Sequence, residues 1–423
     1  MTDLNTLGAT ELAQRLARRD ITAEAVLRAC LERIAEREPQ VQAWEALAAD
    51  AALAEARRLD AGPHRGLLHG LPLGVKDIFD SADLPAGLGS PIYAGNQPRA
   101  DAAVVATCRA AGAVVLGKTV TTELATGTPS RTRNPHRLDR TPGGSSAGSA
   151  AAVADFMLPL AFGTQTAGSV IRPAAYCGIV GVKPSFGLLP RAGIKSQSET
   201  CDTVGVMARS VADAGLLLAA ASGDAALAQV QPQGKPRWGL CLTPSWEQAD
   251  ADTAHAIDSA KRVLADHGGS LVELAPSCLE GLVELQMEIM FHEAAQAYSF
   301  ENLFHRQQLG VMVRDMLDAG RGISPARHRA KLLRLARARE EIAAVFSGVD
   351  AIIAPSTTGE APGMDNTGSP VFCRPWSLLG LPCVHVPVDR GSTGMPVGVQ
   401  VIGPAAADAR TLQAAAWLEG RLR

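Results

Sequence analysis

A chain of 423 residues with 47% hydrophobic and 20% charged side chains has enough material for a large buried core. Its formal net charge of −3 offers no field to recruit nucleic acid or an anionic membrane, and 4% aromatic content argues against base-stacking platforms. Eight scattered cysteines without a CxxC pair read as reduced thiols, not a disulfide framework.

Along the chain, residues 1–62 read as helices. Thr22 is placed to cap a helix with Val26, Leu27, Cys30, Leu31 and Ile34 on its apolar face, ending at Glu38-Pro39. A second, alanine-rich helix is expected over 46–59. The start lacks a basic segment followed by an apolar run, so no signal peptide is read. Short apolar runs then follow at 71–75, 113–116, 158–162 and 179–182, with alanine-rich helical pieces between them at 100–111 and 146–154. That alternation predicts an α/β fold with a mostly parallel sheet covered by helices on both faces. The longest apolar stretch, 150–162, is broken by Asp155 and Pro159 and is too short to span a bilayer, so a cytoplasmic protein is expected. Residues 229–236 read as an exposed connection. Residues 250–346 turn helical, and strand texture returns at 351–355, 382–387 and 398–402. One domain over 1–423 is expected: N-terminal helices at 1–62, a core at 63–215, a helical insertion at 250–346 and a return to the sheet at 347–423.

Chemistry concentrates in two glycine-lined serine loops, Gly143-Gly144-Ser145-Ser146-Ala147-Gly148-Ser149 and Thr166-Ala167-Gly168-Ser169-Val170-Ile171-Arg172. Small residues before a nucleophile let backbone N–H groups face a developing oxyanion, and Thr166, Ala167, Gly168 and Ser169 are the candidate donors. Tight turns or a phosphate cradle would explain the glycines equally well, although no GxxxxGK[ST] or GxGxxG pattern is present. A serine nucleophile needs a base. Lys76 ends an apolar run, where burial favours the neutral amine that accepts a proton. The plainer reading of Lys76 is an ion pair with its neighbour Asp77.

Three stretches together, Gly70-Leu71-Pro72-Leu73-Gly74-Val75-Lys76-Asp77, 142–150 and 163–173, resemble the amidase signature family. The similarity extends through 177–184, 380–387 and 396–403. Chain length and the run Gly163-Thr164-Gln165-Thr166 look closest to the malonamidase members. The resemblance implies a single-domain amidase signature fold and hydrolysis of a small amide without cofactor or metal. It implies Ser169 as acylated nucleophile and Ser145 as the bridging serine, preceded by a cis peptide bond. Lys76 would be the neutral base and Thr164 a support for the bridging serine. Arg172 would hold a substrate carboxylate, as in malonamidase-like members, or serve structure only. Gln165 and Ala167 stand where many members carry aspartate and glycine, which bears on substrate preference. The implied partner is a small-molecule amide, with a homodimer by analogy. A glutamine-hydrolysing component of a tRNA-linked amidotransferase and a non-catalytic scaffold are the alternative readings.

Other signals read as structural. The arginine-rich run 327–339 is followed by Glu340-Glu341 and fits a solvated helix face. His64 and His69 fit surface loops, Cys177 fits packing, and Trp376, Met287 and Met290 fit the core.

Overall fold

The structure, a computed structural model, describes residues 3–232 and 234–422. Its strands are β1 (Trp44–Leu47), β2 (Pro72–Lys76), β3 (Val114–Thr119), β4 (Leu160–Gln165), β5 (Val180–Lys183), β6 (Thr203–Ala208), β7 (Trp238–Leu240), β8 (Leu271–Glu273), β9 (Ala351–Pro355), β10 (Cys383–Arg390) and β11 (Pro396–Ile402). They form one mixed sheet in the order β1-β3-β2-β4-β6-β5-β10-β11-β9-β7-β8. Parallel pairing, the pattern predicted by strand–helix alternation, joins β3, β2 and β4 on one wing and β9, β7 and β8 on the other. The middle pairs antiparallel, with β10 and β11 as a hairpin. The α/β architecture is therefore that of a single domain built on one large sheet.

The expected apolar runs lie in β2, β3, β4, β5, β9, β10 and β11. Thr22 caps the helix Ala23–Val41 by accepting the Ala25 N–H at 3.1 Å. That helix runs past Pro39, which lacks an N–H and forgoes one bond in the last turn. The expected helix over 46–59 starts later, at Ala49–Ala61, because residues 44–47 pair instead with the edge of β3. Composition there favours helix, but an unpaired sheet edge overrides it. The helical stretch 250–346 also contains the short strand β8. The arginine-rich helix Pro325–Val345 is mostly exposed, with Leu335, Ala338 and Ile342 buried. His69 is a correction: it is buried, stacked on His64 with ring centroids 4.6 Å apart.

All eight cysteines are free, and all but Cys278 are buried. Among the described residues, no helix is long and apolar enough to cross a membrane.

Candidate active site

Parallel neighbours β2 and β4 run side by side, with Val75 opposite Phe162, so both deliver their last residues to the same edge of the sheet. Lys76 arrives from β2, while Thr164 and Gln165 arrive from β4. The helix Ala147–Ala154 packs on these strands and begins just after Ser145 and Ser146. Its Gly148 lets the helix meet the main chain just before β1 and just after β3. A β-carbon there would sit 2.2 Å from Ala43 O and 2.4 Å from Val120 N.

Lys76 is fully buried, and its Nζ lies 2.8 Å from Ser145 Oγ and 2.9 Å from Thr164 Oγ1. No carboxylate pairs with it among the described residues. Asp77 faces away and pairs with buried Lys118 at 2.9 Å. The simple pairing of Lys76 with Asp77 is thus excluded by alternation along the strand, which sends successive side chains to opposite faces. Burial pulls the Lys76 amine down from 10.5 to about 7, opposed by a smaller upward pull from Asp202. Thr164, the expected support of the bridging serine, accepts from Lys76 Nζ through its hydroxyl oxygen, and its N–H donates to Ser146 Oγ at 3.3 Å.

The peptide bond Gly144–Ser145 is cis. Its surroundings are fixed on both sides. The Thr122 N–H donates to Ser145 O at 3.3 Å, and Arg172 Nη2 donates to Gly144 O at 2.7 Å. Arg172 Nη1 donates to Gly368 O, and the side chain is buried. Both ends of its fork therefore meet main-chain carbonyls.

The second loop is ordered by Gln165. Its Oε1 accepts the N–H groups of Val170 and Ile171 at 2.9 and 3.0 Å, and its Nε2 donates to Ser377 Oγ at 2.9 Å. Ser377 passes its own proton to Ala167 O at 2.7 Å. Among the described residues, the N–H groups of Thr166, Ala167, Gly168 and Ser169 have no protein acceptor, and neither does the Ser169 hydroxyl. Four adjacent free donors beside a serine hydroxyl suit an oxyanion. A cavity of about 220 Å³, lined by Thr164, Thr166, Gln197, Asp202, Lys195 and Arg191 among others, adjoins the loop.

Sequence reasoning missed Asp202, Gln286, Arg374 and Ser377. Half-buried Asp202 accepts from Thr166 Oγ1 at 2.6 Å, from the Gln197 and Ser198 N–H groups at 2.6 and 3.0 Å, and from Ser196 Oγ at 3.1 Å. Burial nonetheless raises its carboxyl pKa. The polar run 196–202 just before β6 is the signal that would have found it. Gln286, Arg374 and Ser377 come from distant helices and leave no local trace.

The Amidase family model matches residues 25–412. A glutamyl-tRNA(Gln) amidotransferase component from Acidothermus cellulolyticus is 34% identical, over 100% of this chain and 96% of its own length. The 2-amino-5-chloromuconic acid deaminase of Comamonas testosteroni is 32% identical, over 98% and 96%. The native peptide amidase of Stenotrophomonas maltophilia superposes with a TM-score of 0.85 at 30% identity, covering 99% of this chain and 97% of that one. Their names point to different substrates; what they share is the scaffold. The chain belongs to the amidase signature family, hydrolases of amide C–N bonds.

Proposed function

We propose that this chain is a serine amidohydrolase cleaving a small amide to acid and ammonia through an acyl intermediate on Ser169. One observation carries the reading: a buried lysine amine held between two hydroxyls, with no carboxylate paired to it among the described residues. Neutral Lys76 takes the Ser145 proton as Ser145 takes the Ser169 proton, and Ser169 Oγ attacks the carbonyl carbon. The N–H groups at 166–169 hold the oxyanion; losing one such donor elsewhere lowers kcat about 10²–10³-fold. As the C–N bond breaks, Lys76 returns the proton through Ser145 to the leaving nitrogen. Water then enters, loses a proton to the same relay, and releases the acid from Ser169.

Arg172 fits best as a positioning residue, because it grips the carbonyl of Gly144 beside the relay serine. A malonamate-like substrate and a simple aliphatic amide both remain within the proposal. A second reading, release of ammonia from glutamine within an amidotransferase, is favoured by the 34% identical amidotransferase component. Labelling by a fluorophosphonate probe, lost in Ser169→Ala, tests the acyl-enzyme; an unlabelled wild-type chain overturns it. An ammonia-release screen over malonamate, biuret-type acids, glutamine, indoleacetamide and aliphatic amides separates the two readings. Glutamine turnover that appears only with added partner proteins selects the second.

A further inference from the structure

The segment 365–377 closes over the nucleophile loop. A β-carbon on Gly168 would meet the β-carbons of Pro370 at 3.0 Å and Cys373 at 3.2 Å, and Ser377 bonds Ala167 O. Arg374 directly follows Cys373 in this segment. Its Nη1 donates to the side-chain oxygen of Gln286, a wholly buried residue whose Nε2 donates in turn to Thr166 O at 3.2 Å. Arg374 is thus two hydrogen bonds from the candidate oxyanion loop, and part of it still reaches solvent. Burial, and to a lesser degree the Arg172 guanidinium, disfavours the charge on Arg374.

Neither guanidinium has an ion-pair partner among the described residues, whereas buried Lys118 has Asp77. Two neighbouring guanidinium charges facing only neutral amides and carbonyls are expensive to bury, and an anion between them would lower that cost. Arg172 already directs both terminal nitrogens to the main chain. Among the described residues Arg374 has a single side-chain partner, a neutral amide oxygen, which leaves most of its fork of donors for a carboxylate.

We propose that Arg374, oriented by Gln286, binds a carboxylate on the acyl side of the substrate, so that the chain prefers half-amides of short dicarboxylic acids over neutral amides. This deepens the amidase reading and rests on it for turnover alone. Two measurements test it. The first is the ratio of kcat/KM for malonamate to that for propionamide. Arg374→Gln is expected to lower the ratio on the order of 30-fold, the low end for removing one member of an enclosed charge pair. Arg374→Lys should recover part of it. A ratio unchanged within about threefold overturns the proposal, as does a wild-type preference for propionamide. The second is malonate affinity by calorimetry in the Ser169→Ala background, with and without Arg374→Gln and with circular dichroism as the folding control. Loss of malonate binding with Arg374→Gln supports the site, and equal affinity overturns it. Malonate binding that depends on Arg374, in a chain that no fluorophosphonate labels, would sink the acyl-enzyme reading and keep the anion site.

Discussion

At the scale of single residues, Lys76 ties reactivity to pH. A base held near pKa 7 is charged and inert below that value and neutral above it. Under the proposed mechanism, kcat/KM should rise about tenfold per pH unit below pH 7 and level off above it, which a pH–rate profile will read. The same burial weakens the fold. The unfolded chain holds the lysine proton up to about 10.5 and the folded chain only to about 7, so the destabilisation is complete below pH 7 and fades as pH rises towards 10.5. Lys76→Met is therefore expected to abolish turnover yet raise the melting temperature at pH 7 by roughly 2–5 °C, a gain that shrinks at pH 10. A lower melting temperature at pH 7 would refute this. Gln165 and Ser377 make a second coupled pair. Ser377 has one proton, and it reaches Ala167 O because Gln165 supplies an N–H. Gln165→Glu keeps the acceptor for Val170 and Ile171 but claims the Ser377 proton. It should lower kcat about tenfold with little change in KM, and adding Ser377→Ala should cost under about threefold more. Ser145 and Ser169 were legible because each sits in a run of small residues with few structural uses, and Lys76 because a charge closes an otherwise apolar strand. Arg374, Gln286 and Ser377 were not, because their meaning comes from contacts spanning tens to hundreds of residues.

At the scale of elements, the site depends on where helix ends are tied. Asp155 closes the helix that follows the bridging serine, and it is nearly buried between Arg33 and Arg37 of the N-terminal helix Ala23–Val41, at 2.7 and 2.8 Å. In the sequence it only interrupts an apolar stretch. In the fold it fastens the N-terminal helices to the core. Asp155→Ala leaves two partly buried guanidiniums without their shared anion and should lower unfolding stability by about 3 kcal/mol in urea titrations. Unchanged stability would mean the pairing is incidental. Strand positions with strong apolar runs were readable from composition. Strand β1 was not, because its residues favour helix and only the open edge of β3 draws them into the sheet. The pairing sense of the middle strands was also out of reach, since it depends on which strand neighbours which, and not on any local pattern.

At the scale of the whole molecule, the sheet draws its strands from Trp44 to Ile402, and one hydrophobic cluster contains residues from Leu7 to Leu418. Stability is therefore shared between the wing that carries Lys76 and the wing built by β7, β8 and β9. The buried cysteines turn this into something measurable. Cys30 lies in an N-terminal helix, Cys108 under the first wing, Cys241 beside β7, and Cys373 against the nucleophile loop. Burial pushes the thiols of Cys30, Cys108 and Cys373 to about 12 and that of Cys241 to about 11, so in the closed molecule they hold almost no thiolate near neutral pH. Their alkylation then waits for local opening. Iodoacetamide should mark Cys278 first, and mass spectrometry of the remaining sites should time how often each region breathes. Early labelling of Cys373 ahead of Cys278 would contradict the enclosure of the nucleophile loop. The scattered thiols thus act as a set of built-in clocks, one for each part of the fold.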